Sequence, residues 1–171
     1  GLIQKGVTVE QVAKVCRNFS EAGIMVHAYL MYGFPTQTEQ ETIDSLEMVR
    51  HLFETGVVQS GFWHQFALNA HSPVGMSPET FRIKKLSDEI GSFANNDLMY
   101  SDPTGADHEV FSYGLKKSLC NYMHGVSFDL PLQAWFDFDV PNTTIEEAHI
   151  ESALAEDDEA IEIKPNAKIT W

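Results

Sequence analysis

Ile24-Met25-Val26-His27-Ala28-Tyr29-Leu30-Met31-Tyr32-Gly33-Phe34-Pro35-Thr36-Gln37-Thr38 is the stretch on which the reading of this chain turns. Its first part, Ile24 to Tyr32, is an almost unbroken apolar run rich in β-formers, which suits a strand covered on both faces. Gly33-Phe34-Pro35 then stops the run, because glycine permits a sharp or close backbone approach and proline fixes φ and donates no hydrogen bond. Thr38 follows as a helix N-cap, with Glu41 completing a capping box. A strand therefore empties through a tight loop into a helix. In α/β proteins such loops lie at the carboxyl end of the sheet, where ligands bind.

The elements on either side continue the pattern. Upstream, Thr8 and Gln11 form a second capping box for a helix over Val9–Ala22, with Gly23 placed to end it. Val9, Val12, Cys16 and Phe19 recur at helical spacing and are expected to face the sheet. Within the strand, Met25, His27, Tyr29 and Met31 alternate with Ile24, Val26, Ala28 and Leu30. The smaller aliphatic set suits packing under helices; in a barrel the other set points inward.

Downstream, a helix over Glu39–Thr55 buries Ile43, Leu46, Val49 and Phe53 and ends at Gly56. Val57–Ala70 reads as a second strand, with Phe62, His64, Phe66 and Leu68 on one face and Trp63, Gln65 and Ala67 on the other. Ser77-Pro78-Glu79 has the order of an N-cap, N1 and N2 and predicts a further helix. Helix-strand-helix-strand at this spacing is the rhythm of a parallel sheet with crossover connections. Two strands cannot close a barrel, so the expected fold class is α/β, the back part of a partial (β/α) barrel.

The second half differs. Gly91–Ala106 is polar and turn-rich, and Asp107 caps a predicted helix reaching His124, with Val110, Leu115, Leu119 and Tyr122 among its apolar positions. Trp135, Phe136 and Phe138 form an aromatic clamp over the core. Thr144-Ile145-Glu146-Glu147 opens a last helix to Ala155, and residues 160–171 read as a small β-hairpin around Lys164-Pro165-Asn166-Ala167. The expected division is thus an α/β portion over residues 1–90 and a mainly helical C-terminal extension over 91–171.

Met31-Tyr32-Gly33-Phe34-Pro35-Thr36-Gln37-Thr38-Glu39-Gln40-Glu41-Thr42 resembles the strand-loop-helix in the later part of the radical S-adenosylmethionine (SAM) barrel, written G-[FL]-P-x-[EQ]-T. It looks most like the members that often carry a cobalamin-binding domain, and the loop is similar to that of oxygen-independent coproporphyrinogen oxidases. The resemblance runs from Val9 to Thr80 and more loosely beyond. It implies a parent oxidoreductase that cleaves SAM at a [4Fe-4S] cluster, acting on an unidentified small-molecule or peptide substrate. It also implies that Gly33, Phe34 and Pro35 border the nucleoside, that the Gln37 amide reaches the cofactor, and that Phe66 and Ala67 flank the adenine. The sequence departs from the commoner G-E-T in carrying Thr36-Gln37-Thr38.

The cluster's cysteine motif, C-x-x-x-C-x-x-C, is absent. Cys16 and Cys120 cannot supply clustered thiolates, and Cys16 sits on an apolar stripe as a small hydrophobe. The expectation is a fragment without a cluster, inactive alone, with the motif upstream of Gly1. A non-catalytic α/β module, docking a partner through its acidic C-terminal half, is the other reading. His27, His64 and His71 match no standard metal spacing; in Asp107-His108-Glu109 adjacent residues on a helix point in different directions, and capping explains Asp107 and Glu109 better than acid-base work does. No residue is expected to ligate a metal in this chain.

Composition bounds the remainder. The 171 residues are 43% hydrophobic, enough for a real core, and carry a net charge of −14. That balance argues against nucleic acid, which calls for a basic patch. No apolar run reaches the ~20 residues that span a bilayer, and no signal-peptide pattern opens the chain, so a cytoplasmic setting is expected. Taking away the front of a barrel exposes a strand edge and an apolar face, so the chain is expected either to self-associate or to fold its second half over them.

Overall fold

The computed structural model describes residues 7–87 and 96–155. Among them the architecture is mixed α/β, with five α-helices, a parallel strand pair and a small antiparallel pair. The first helix, α1 (Val9–Glu21), starts at the Thr8–Gln11 capping box, both halves of which form. Its buried residues are Ala13 and Cys16, whereas Val9, Val12 and Phe19 stand exposed. The expected stripe is therefore rotated, because α1 rests against α5 (His149–Ala155) through its Ala13 side. Cys16 is a buried hydrophobe, and burial pushes its thiol pKa up.

The first strand, β1 (His27–Tyr32), pairs in parallel with β2 (Ser60–Gln65), Tyr29 opposite Phe62 and Met31 opposite His64. Between them runs α2 (Glu39–Glu54), capped by Thr38 and Glu41 as the sequence predicts. Ile43, Leu46, Val49 and Phe53 are all buried on it, and Gly56 follows its C-cap. Beneath the sheet, Val26, Ala28 and Leu30 pack into one core with Trp63, Phe111, Leu115, Leu119 and Trp135.

The opposite face of the pair is open, which corrects the expectation of a strand covered on both sides. Tyr29 is 74% exposed and Phe62 48%, with His27, Met31 and His64 beside them. The alternation was right and the coverage was not: period 2 sorts side chains between faces, but only a second layer can cover one. The second strand is also shorter than Val57–Ala70. Its alternation ends at Gln65, and Phe66 and Leu68 turn into a separate cluster with Ile83 and Leu98.

The predicted helix at Ser77 is a single 3-10 turn, Pro78–Phe81, with no side-chain cap. The working cap lies upstream, where the Ser72 hydroxyl accepts from Gly75 N–H at the start of the short α3 (Pro73–Met76). Lys84–Lys85 (β3) and Tyr100–Ser101 (β4) make the antiparallel pair. Asp107 caps a 3-10 turn at His108–Phe111 that leads into α4 (Ser112–Met123). Leu115, Leu119 and Tyr122 are buried as expected, and Val110 is exposed.

Helix α4 packs on β2 and α2, so the same core runs from Ala13 to Ile150 across residue 90. Trp135 and Phe136 close it, the Trp135 indole N–H donating to the Tyr122 hydroxyl at 3.2 Å. The last helix begins at His149 rather than Thr144, because the Thr144 N–H and hydroxyl are both spent on the Asp44 carboxylate of α2. The expected hairpin and the acidic run Glu156–Glu159 lie outside the described residues.

Candidate functional site

The Gly33–Gln37 loop at the carboxyl end of β1 is a tight turn. Gln37 N–H donates to Phe34 O at 2.8 Å, and Pro35 and Thr36 are the two central residues. Thr36 has φ +77°, so the turn has the type II pattern, with proline at its first central position and a positive φ at its second. Glycine or asparagine normally occupies that second position. A β-branched residue there carries backbone strain, which needs surrounding structure to hold it.

Asp102 holds it. Its Oδ2 accepts from Thr36 N–H at 3.3 Å and lies 3.2 Å from His108 Nε2. Its Oδ1 accepts from the Thr104 amide at 2.8 Å and the Thr104 hydroxyl at 2.7 Å. Burial works to raise the Asp102 pKa, but these hydrogen bonds outweigh it and keep the carboxyl below the usual range. His108 is 7% exposed, and its Nδ1 has no hydrogen-bond partner among the described residues.

Gly33 sits against that imidazole with φ +74°. A Cβ at Gly33 would stand 3.1 Å from His108 Cβ and 3.3 Å from its Cγ. The contact with His108 and the positive φ thus both favour glycine at this position. The Gly33 N–H donates to Gln37 Oε1 at 2.7 Å, so the Gln37 carbonyl closes the loop on itself and only its amide NH2 is left for a ligand.

Beside the turn lies a cavity of about 690 Å³. Met31, Phe34 and Met48 give it an apolar wall, Glu41 and Arg82 bring opposite charges, and Thr36 and Gln37 come from the turn itself. Asp44, also in the wall, is committed to Thr143, Thr144 and Gln40. Burial would raise its carboxyl, but these bonds, led by the Thr144 amide and hydroxyl, leave it lowered.

Of the residues expected to touch a cofactor, Phe34 and Gln37 line this cavity together. Pro35 is buried beneath the turn, and Gly33 faces His108. Phe66 reaches the site indirectly, edge-on to Phe34 at 5.1 Å, and its N–H donates to Tyr32 O at 2.8 Å. Ala67 is exposed and is not part of the cavity wall.

Nothing in the sequence points Arg82 or Met48 to the turn, and the same holds for the contacts of Asp102 and His108 with it. Asp102 read as a turn residue and His108 as the neighbour of a cap, and no local pattern ties either to a loop some seventy positions away. Pro35-Thr36 was the one available signal, since a proline at the first central position raises the question of what occupies the second.

His27 bonds Ser60 Oγ through Nδ1 at 2.8 Å, His64 lies 6.1 Å from the Tyr29 ring, and His71 is exposed. Among the described residues no group of three or more His, Cys, Asp or Glu side chains is placed to hold a metal ion, and no helix is long and apolar enough to cross a membrane. Compared with protein-family models, curated proteins and solved structures, the chain matches none.

Proposed function

We propose that this chain is the back part of a radical SAM barrel, in which β1 and β2 are adjacent barrel strands and the Gly33–Gln37 turn borders the SAM site. The cavity beside the turn carries this reading. At about 690 Å³ it falls in the range of small-molecule sites. Its chemistry suits an amphiphilic zwitterion: Met31, Phe34 and Met48 offer an apolar wall to a flat ring, and Glu41 and Arg82 offer charges to an ammonium and a carboxylate.

The [4Fe-4S] cluster does not fit on this chain. Cys16 is buried within α1, Cys120 lies on the exposed side of α4, and no other cysteine exists to complete a set. The cluster and the reductive chemistry it supplies belong to the intact parent, and so does the unidentified substrate. What this chain contributes is binding and orientation: the turn shields one side of the ligand, and α2 presents Glu41 and Met48 to the other.

Equilibrium binding of SAM to this chain, and to the parent protein reconstituted anaerobically, tests the proposal. Ser45, on the cavity wall, donates its hydroxyl to Glu41 O within its own helix. Ser45→Trp fills the cavity from a helix surface that tolerates a large residue. It is expected to weaken SAM binding at least about tenfold while the circular dichroism stays unchanged. Undiminished SAM binding by folded Ser45→Trp protein would remove this cavity as the cofactor site.

The open sheet face favours a second reading, a non-catalytic α/β module that binds another protein. The parent reading frame separates the two: a C-x-x-x-C-x-x-C upstream supports the enzyme.

A further inference from the structure

Trp135, Phe136 and Phe138 close the core, and the same three residues wall a second cavity, of about 510 Å³, against α4. Packing fixes that wall. A Cβ on Gly114 of α4 would meet the Phe136 ring at 2.3 Å and Trp135 O at 2.8 Å, so the glycine is what lets this segment lie directly on the helix. Phe138 is held in turn, its ring 5.2 Å from that of Phe111 and 5.5 Å from that of Phe136. The Trp135 indole N–H is committed to Tyr122, which leaves Trp135 only ring surface to offer. Tyr113, 73% exposed, makes the outer wall with Val110.

One cation stands in this aromatic box. Lys117 Nζ lies 5.9 Å from the Tyr113 ring centroid and 6.0 Å from that of Trp135. Ring faces hold an ammonium through their quadrupoles but carry no net charge to neutralise it. Among the described residues Lys117 has no ion-pair partner, in a chain whose net charge is −14. Even Asp137, in the wall of the same cavity, forms no ion pair with it.

These properties select the occupant. The volume, about 510 Å³, lies in the range of small-molecule sites. Aromatic walls favour a planar ring, stacked or edge-on, and the uncompensated ammonium favours an anion. Asp137 counts against a phosphate, whose second charge it would repel, and so favours a single carboxylate. We infer that this cavity binds a small planar aromatic carboxylate, its ring among Tyr113, Trp135 and Phe138 and its charge on Lys117 Nζ. The site shares no residue with the cavity beside the turn and is independent of the SAM reading.

Titration of the full chain with phenylacetate, by calorimetry and by amide NMR, tests this. One saturable site is expected, with shifts at Gly114 and Ala134 of the cavity wall. Neutral phenylacetamide, and cyclohexylacetate, which keeps the charge and loses the aromatic ring, are each expected to bind at least about tenfold more weakly. Lys117 is exposed, so Lys117→Met spares the fold and keeps the aliphatic stem. It is expected to weaken phenylacetate about tenfold or more and to leave phenylacetamide within about twofold. Lys116→Met removes the same charge next door, outside the cavity, and is expected to change affinity by less than about twofold. Equal losses in the two lysine variants would mean diffuse attraction and overturn the site. Shifts confined to Thr36 and Gln37 would place the acid in the other cavity and overturn it too. Phenylacetamide binding as tightly as phenylacetate overturns the ionic contact, and the absence of saturable binding overturns the inference as a whole.

Discussion

Gly33 and His108 are fitted to each other: the glycine has no side chain where the imidazole stands, and a Cβ there would come within 3.1 Å of His108 Cβ. Two residues 75 positions apart, with α2, β2, α3, β3 and β4 between them, meet under the turn that closes β1. Both the crowding and the +74° φ work against a side chain at Gly33. Gly33→Ala is expected to destabilise by about 2–4 kcal/mol, combining left-handed strain with overpacking. The crowding part should vanish in a His108→Ala background, so a double-mutant cycle by chemical denaturation should show coupling of about 1 kcal/mol or more. Additive effects would mean that φ alone explains the glycine.

Thr36 carries the turn's other strained φ, and here the side chain is the cost. Thr36→Gly relieves a left-handed penalty of about 1–2 kcal/mol against roughly 0.5–1 kcal/mol of added chain entropy. The substitution should leave stability unchanged or raise it by up to about 1 kcal/mol. A loss above about 1 kcal/mol in urea unfolding would show that the threonine side chain makes contacts that outweigh the strain.

Asp102 ties the β1 turn to the 3-10 turn at His108–Phe111 that leads into α4. Its folded pKa lies below the ordinary 3.8, so its contribution is present above that value and fades as pH falls through it. Asp102→Asn should cost about 1.5–3 kcal/mol near neutrality, the range for hydrogen bonds to a charged group. The variant should also lose that part of the acid dependence of unfolding. Parallel pH profiles for the two proteins below pH 4 would contradict the assignment.

Glu10 and His149 join α1 to α5 at 2.7 Å. The Glu10 pKa is lowered from 4.5 to about 2, first by the Thr8 hydroxyl, then by its own amide and His149. A lowered carboxylate stabilises above its unfolded value, so this contribution fades as pH falls from about 4.5 toward 2. Glu10 is partly exposed and solvent-screened, so the effect is small. NMR titration should show Glu10 ionising well below the ordinary 4.5 of a glutamate; a midpoint at that ordinary value would remove the interaction.

Tyr29, Met31 and Phe62 present apolar surface on the open face of the β1–β2 pair, with the Tyr29 and Phe62 rings 6.1 Å apart. Such a patch favours self-association in the isolated chain. Sedimentation should show concentration-dependent mass that drops toward monomer in Tyr29→Lys combined with Phe62→Lys. A monomer at all concentrations in the unmodified chain would mean that the face stays solvated.

The elements whose causes are local could be read along the chain. Thr8–Gln11 and Thr38–Glu41 each close a capping box within one helical turn, and the 3.6-residue period of Ile43, Leu46, Val49 and Phe53 is enough to bury α2 correctly. Alternation in β1 sorted its side chains between two faces without a partner strand being known. The acidic balance and the scarcity of cysteine are likewise properties of the sequence alone.

What the tertiary structure decided is where faces are covered and which distant groups meet. Packing of α1 on α5 chose Ala13 and Cys16 over Val9, Val12 and Phe19, because burial depends on the neighbouring surface as well as on periodicity. The Asp102–Thr36 and His108–Gly33 contacts join positions with no repeat or spacing between them. A turn with a strained threonine at its centre persists because a carboxylate from another part of the chain accepts its amide, and no local propensity encodes that.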